Sequence, residues 1–481
     1  MSELTQQLRS GRPLSSSDRL KLVISLSWPA IMAQLSTILM EYIDAAMVGR
    51  LGASPAASVG LMATTTWLVF GLGGALSTGF SVQVAHLIGA GKDPQARQVL
   101  QHAIKSVLAL GFILGLAGAC VSPYLPGWLG GNDEISGGAS AYFGIFSMAL
   151  PFFFMTYLSS SMIRCTGNMV VPGLLNVMMC VLDLVFNYFL IFDSHTLFGF
   201  SFPGAGLGVT GAAIGTALAE IITACALMWY MMKRSVLKRS QQTESTIRLP
   251  FMTTFKRSLG IGSPIAAERV LMNGAQILTT VIVAPLGTVA IAANSFAITA
   301  ESLCYMPGFG VGDAGTTLVG QSLGAGRKDT ARSFGKLAII IGVSVMTVMG
   351  IIMWIAAPMM MSLFTPDAAV QCLGTECLRI EAFAEPMFAA AIVTYGVMVG
   401  AGYTLVPACV ILLSMWAVRL TLAAVLAPTL GLQGVWLAMC IELSVRGAAF
   451  LIIFNKAPWM RSGSKKPQVE TEYVDDLENP A

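Results

Sequence analysis

The chain has 481 residues, of which 55% are hydrophobic and 11% charged, against roughly 25% charged in an ordinary globular domain. That composition excludes a disordered protein, a secreted disulfide scaffold and a typical soluble enzyme. Lys plus Arg number 28 and Asp plus Glu 25, giving a net charge of +3, too balanced for a nucleic-acid binder or a polybasic surface anchor.

A membrane-crossing helix needs about 20 apolar residues, and twelve with short connections use roughly 400 residues at ~33 per span and loop. The length therefore suits a polytopic membrane protein with nothing large left over. Residues 1–21 are polar, with Arg9, Arg12, Arg19 and Lys21. They have no short apolar core followed by a small-residue cleavage site, so they read as a cytoplasmic lead-in rather than a signal peptide. Hydropathy then predicts spans near 22–48, 55–86, 99–125, 138–161, 170–192, 207–232, 258–284, 288–317, 335–363, 371–399, 407–428 and 433–455. The end, 456–481, becomes rich in Lys, Glu, Asp and Pro from Arg461 onward and is expected to be a disordered cytoplasmic tail. The predicted fold is all-α, with a first six-helix lobe at 22–240, a cytoplasmic linker at 241–257 and a second six-helix lobe at 258–455.

Alternating the loops between two sides separates the cations. Lys92, Arg97, Lys233, Arg234, Lys256, Arg257, Arg327, Lys328, Arg332 and Lys336 join those of both termini on one side, leaving Arg50 and Arg379 on the other. Cytoplasmic loops carry the Lys/Arg excess, so both termini are expected in the cytoplasm.

The sequence matches itself at an offset of 235. Pro29 meets Pro264, Gly52 meets Gly287, Gly89 and Gly91 meet Gly324 and Gly326, Pro151 meets Pro386, and Gly167 meets Gly402. In the sixth span the register changes, with Gly208 and Gly211 matching Gly431 and Gly434, as if Asp193 to Pro203 were a loop insertion. Six spans per half is even, so the two halves enter the membrane in the same sense, the parallel repeat that transporters use to build two lobes around a midplane site.

A charge at the bilayer centre costs at least a few kcal/mol, so each must be paired, cavity-facing or functional. The first half places Glu41, Asp44, Asp183 and Glu220 in spans, and the second places Glu268, Arg269, Glu301, Asp313, Glu381, Glu385, Arg419, Glu442 and Arg446 there. Asp44, Asp183, Asn187 and Thr216 lie roughly 6 to 14 Å from the outer span ends at 1.5 Å per residue, and Asp183 and Asn187 share a helical face. A polar pocket of buried carboxylates at one depth suits a proton-coupled switch, while static hydrogen bonding between helices is the alternative. Glu41 and Glu220 are read as cavity or headgroup-level residues without a role. Glu442 and Arg446 are spaced to pair along one helix, and Glu268, Glu385 and Arg419 are expected to meet near mid-depth. With Glu301 they make a second-lobe network, either a salt-bridge lock or a cavity for a cation or substrate.

Several signals carry no function. Gly206-Leu-Gly208-Val-Thr-Gly211 fits a dinucleotide pattern but opens a span with no strand expected before it. No GxxxxGK[ST] run marks an ATP motor, and His86, His102 and His195 with no CxxC make a metal site improbable. Cys372 and Cys377 are poorly spaced for a bridge. The 28 methionines suit either a promiscuous cavity or plain packing.

Pro29 through Asp44 to Val48-Gly-Arg-Leu-Gly52, then Gly89-Ala-Gly91, resembles the opening of the multidrug and toxic compound extrusion (MATE) family. Val283-Ala-Pro-Leu-Gly287, Met306-Pro-Gly308 and Val319-Gly-Gln-Ser-Leu-Gly-Ala-Gly326 resemble its second-half signature. The resemblance implies two lobes in a V, alternating access, and antiport of organic cations against protons or sodium, with neither enzyme activity nor a cofactor. It places Asp44 on an essential first-span aspartate of the DinF-like and archaeal members and Thr216 on a sixth-span threonine. Asp183-x-x-x-Asn187 reverses the Asn-x-x-x-Asp of the archaeal members. Phe388 stands where the sodium-coupled NorM-like branch has an aspartate, so the DinF-like type and first-lobe proton coupling are favoured. Glu268 and Glu385 keep a second-lobe sodium site open. The expected protein is a monomeric multidrug exporter of the inner or plasma membrane, in contact with lipid and a small-molecule substrate. A lipid-linked precursor flippase is the runner-up, disfavoured because the few intramembrane cations sit beside acids.

Overall fold

Inside a bilayer every backbone N–H and C=O must find a partner within the protein, which for a single segment means a helix. In the computed structural model the described residues are 14–197, 200–237, 249–456 and 458–462. Helices α1 (Ser16–Gly49), α2 (Ala53–Gly89), α3 (Asp93–Val121), α4 (Asp133–Cys165), α5 (Val170–Ile191) and α6 (Gly208–Lys233) are followed by α7 (Phe251–Val283), α8 (Thr288–Gly324) and α9 (Lys328–Phe364). The tenth span, α10, is two pieces, Ala368–Ala382 and Glu385–Gly400, bent by 59°. The last stretch, Leu405–Lys456, runs for 52 residues, about 78 Å at 1.5 Å per residue and more than twice the ~30 Å hydrocarbon thickness. Gly431 breaks it, with φ 61° and ψ −141°, a backbone that only glycine adopts freely. The break divides α11 (405–430) from α12 (432–456) and completes twelve spans. Their outer faces are apolar, with Leu116 71% and Leu363 77% exposed, as suits a lipid solvent.

Four features differ from expectation. Helix α1 begins at Ser16 and α7 at Phe251, inside segments read as lead-in and linker, because helices continue past their apolar windows into polar turns. The insertion after α5 is not a plain loop but an antiparallel hairpin, β1 (Asp193–Leu197) and β2 (Phe200–Ala205), with Asp193 opposite Ala205. A strand therefore does precede Gly206. It belongs to a hairpin rather than a βαβ unit, so the dinucleotide reading gains nothing. In the segment expected to be a disordered tail, Trp459 is fully buried, stacks on Phe454 at 5.4 Å and donates its indole N–H to the Phe454 carbonyl at 3.3 Å. Residues 1–13, 238–248 and 463–481, which carry parts of the lead-in, linker and tail, lie outside the described residues.

The repeat is visible in the backbone. Gly52 and Gly287 have φ of 118° and 98°, Gly91 and Gly326 71° and 74°, Gly167 and Gly402 81° and 74°, and Gly208 and Gly431 55° and 61°. The matched prolines behave differently. Pro151 sits inside a continuous α4, whereas Pro386 opens the second piece of α10, the first-turn position where its missing N–H costs nothing.

The chain packs as two compact units. One comprises Met1–Ile31, Val82–Lys92 and Gly274–Ala481, the other Met32–Ser81 and Asp93–Asn273. These boundaries depart from the expected lobes at 22–240 and 258–455, and close helix crossings explain why. In the first unit the end of α2 crosses α8 so tightly that a Cβ on Gly89 would overlap the Gln321 carbonyl, and one on Gly324 the His86 carbonyl. At the offset of 235, Gly89 is the counterpart of Gly324 and His86 that of Gln321, so each half supplies a glycine and a carbonyl to one reciprocal contact. His86 Nε2 also meets the Gly400 carbonyl at 2.9 Å. In the second unit the start of α7 lies on α2, where Ser258 Oγ donates to the Leu76 carbonyl at 3.2 Å and Gly262 leaves room for the Ala75 carbonyl.

Candidate functional site

Within the unit built from Met32–Ser81 and Asp93–Asn273, α1, α5 and α6 converge on one polar site. The i, i+4 spacing on α5 brings Asp183 and Asn187 to one face, and both are buried, at 1% and 0% exposure. One amide nitrogen serves two acids. Asn187 Nδ2 donates to Asp44 Oδ1 at 2.7 Å and to Asp183 Oδ2 at 3.0 Å. The Asp44 and Asp183 carboxyls also face each other at hydrogen-bonding range, and the Thr216 hydroxyl reaches Asp183. Two carboxylates have no donor between them, so their direct contact requires a shared proton.

Glycine makes this assembly possible. A Cβ on Gly215 would overlap Asn187 Oδ1, and one on Gly211 the Leu190 carbonyl, so only a glycine-faced α6 approaches α5 closely enough to place Thr216 beside Asp183. All four residues expected from the sequence, Asp44, Asp183, Asn187 and Thr216, are together. Three more were not anticipated as members. Glu41, one turn before Asp44, and Tyr142 of α4 lie within electrostatic range of the acids. Glu220, four residues after Thr216, is buried against Thr156 and within range of Asp183. The i, i+4 spacing of Thr216 and Glu220 was the available signal for Glu220.

The other unit holds the second group. Glu442 and Arg446 pair along α12, with Oε1 accepting from Arg446 Nε at 2.7 Å and lying 2.6 Å from a terminal guanidinium nitrogen as an ion pair. A π-helical turn at Ser414–Arg419 brings Ser414 Oγ to Arg446 Nε at 3.1 Å. Arg419 rests on the sulfurs of Met415 and Met439 and lies within electrostatic range of Glu301, Glu381 and Glu442. It borders a cavity of about 10 Å³ with Thr279, Asn294 and Trp436, room for about one water. Glu385 faces the Cys304 thiol, and neither its oxygens nor those of Glu381 meet a hydrogen-bond partner among the described residues. One expectation changes here. Glu268 is buried and belongs to the other unit, and within this unit the acids beside Arg419 include Glu381, which the sequence reading did not place in the network. The omission has a local cause, because the break in α10 falls between Glu381 and Glu385 and no continuous-helix reading places both side chains. The nine cysteines, Cys372 and Cys377 included, form no disulfide among the described residues.

Twelve spans, a parallel repeat and buried polar groups in each unit define a polytopic membrane transporter. Residues 29–189 and 264–425 both match the MatE family model, about two thirds of the chain, and the chain belongs to that family. It is 27% identical over 463 residues to the probable multidrug resistance protein NorM of Thermotoga maritima, covering 95% of this chain and 96% of the relative. A solved outward-facing multidrug resistance MATE family transporter of the MOP superfamily shares the fold, with a TM-score of 0.86 at 20% identity over 97% of this chain and all of that one. The bent form of the Vibrio cholerae MATE transporter VcmN gives a TM-score of 0.80 at 21% identity, covering 93% and 98%. The protein is thus a secondary multidrug transporter of small molecules rather than an enzyme. The expected DinF-like type finds no support in the relatives' names, which lean toward NorM.

Proposed function

We propose that this transporter exports amphipathic or cationic compounds in exchange for protons, by alternating access, with Asp44, Asp183, Asn187 and Thr216 as the coupling site. The observation that carries this reading is the contact between the Asp44 and Asp183 carboxyls under one Asn187 amide. A proton there completes the network. Its loss sets two like charges against each other in a poorly solvated site, a sharp energetic difference between the two states. Substrate release and proton uptake are thereby linked. The coupling residues resemble those of the DinF-like type. The cation asymmetry of the loops supports cytoplasmic termini, and the transporter is proposed to work as a monomer of the inner or plasma membrane surrounded by lipid.

A second reading, sodium coupling through the other unit, is favoured by the buried oxygens of Glu381 and Glu385, which have no hydrogen-bond partner among the described residues. Ethidium efflux from proteoliposomes, driven by either a proton or a sodium gradient, separates the two. The proton gradient is expected to drive efflux in wild type and to fail in Asp44→Asn, whose amide oxygen still accepts from Asn187 and keeps the fold. Efflux driven by sodium alone and unaffected in Asp44→Asn overturns the assignment.

A further inference from the structure

The proton-coupling reading gives no role to Glu220, a buried acid of the same unit. Glu220 lies one turn beyond Thr216 on α6, so the two share a face, and it is 6% exposed. Two helices pack on that face. From α5 it meets the charge of Asp183, and from α4 the Thr156 hydroxyl. Tyr142 of α4 and Cys180 of α5 are the further ionisable groups in range of Asp183. Neither Asp183 nor Glu220 has a lysine or arginine partner among the described residues. Four buried oxygens of this cluster, Thr156 Oγ1, Asp183 Oδ1, Asn187 Oδ1 and Glu220 Oε2, have no hydrogen-bond partner among the described residues. A buried carboxylate in that position must be neutralised by something outside the protein's own charges.

Depth gives the cluster a direction. Counted from Gly49, Ile191 and Gly208, the ends of α1, α5 and α6 on one side, Asp44 is about 8 Å in, Asp183 about 12 Å and Glu220 about 18 Å, at 1.5 Å per residue. The acids descend from the rim of the unit to the middle of a ~30 Å bilayer. The next ionisable side chain on α6 is Cys225, a thiol, and the next charged one is Lys233 at its far end, about 20 Å further on. Glu220 is therefore the innermost acid of the ladder.

Resting on the proton-coupling reading, we propose that Glu220 is a second proton-binding site, the inner station of a carboxylate ladder, so that the unit exchanges two protons per transport cycle rather than one. One proton is held between Asp44 and Asp183 and the other on Glu220, facing Thr156. A purely structural Glu220 fixes helices and leaves the proton count at one.

Stoichiometry tests this directly. In proteoliposomes with the membrane potential clamped at zero by potassium and valinomycin, the ethidium gradient at which net flux stops is the proton gradient raised to the number of protons exchanged. A tenfold proton gradient is expected to hold an ethidium gradient of about 100-fold in wild type and about 10-fold in Glu220→Gln, with Glu220→Asp returning toward about 100-fold. Wild type at about 10-fold overturns the second site by itself and leaves proton coupling standing, whatever the stability of the variant. Glu220→Gln at about 100-fold overturns it as well. No proton-supported gradient in wild type removes the coupling reading and the second site together.

Discussion

Gly215→Ala is a one-carbon test of whether the α5–α6 approach holds the candidate site together. The new methyl would overlap Asn187 Oδ1 and lie 3.1 Å from the Asn187 backbone nitrogen. The amide has no free rotation to absorb this, because its nitrogen bonds Asp44 at 2.7 Å and Asp183 at 3.0 Å. Interhelical hydrogen bonds in membranes contribute about 0.6 kcal/mol on average and up to about 1.7, so losing both costs roughly 1–3 kcal/mol. Overpacking adds about 1–3 kcal/mol, and replacing glycine by alanine in a helix returns about 1. The net is a destabilisation of about 1–5 kcal/mol, accompanied by loss of proton-driven efflux. Gly60 on α2, where a Cβ meets nothing within 4 Å, is the control, and Gly60→Ala is expected to be neutral or stabilising by up to about 1 kcal/mol. Thermal denaturation in detergent, followed by intrinsic fluorescence, compares the two, with ethidium efflux measured on the same preparations. A Gly215→Ala protein that melts with Gly60→Ala and transports like wild type refutes the reasoning.

Two further predictions concern the other unit. Glu442→Ala strands the buried Arg446 guanidinium and is expected to cost about 3–5 kcal/mol, whereas the double replacement Glu442→Leu with Arg446→Leu recovers most of that; equal losses in denaturant titrations of the single and double variants would show that the pair does not act as a unit. Gly431→Ala forces a side chain into φ 61° and ψ −141°, a strain of about 1–3 kcal/mol. It should lower the melting temperature although no atom lies within 4 Å of the new Cβ, and an unchanged melting temperature would place the α11–α12 break elsewhere.

The helical class, the twelve spans and the repeat followed from the sequence because each is a local or periodic property. Hydropathy over about 20 residues reports a membrane span wherever the neighbours lie, and glycines needing a left-handed backbone recur at the repeat offset because both halves need the same turns. Spacing alone also put Asp183 with Asn187, and Glu442 with Arg446, since a helix fixes which side chains share a face. Partners on different helices depend on how closely the helices approach and where they bend. Asn187 bonds Asp44, 143 positions away in sequence, and Thr216 stands beside Asp183 because α6 presents Gly211 and Gly215 to α5. The same tertiary fact turns Glu220 from a residue without a role into a member of the site. Glu381 stands beside Arg419 within one unit, a placement that depends on the 59° bend in α10; α7 is likewise divided between the two units at Asn273. Neither feature leaves a periodic trace in the chain, because a bend and a crossing are set by packing between segments rather than by the composition of either one.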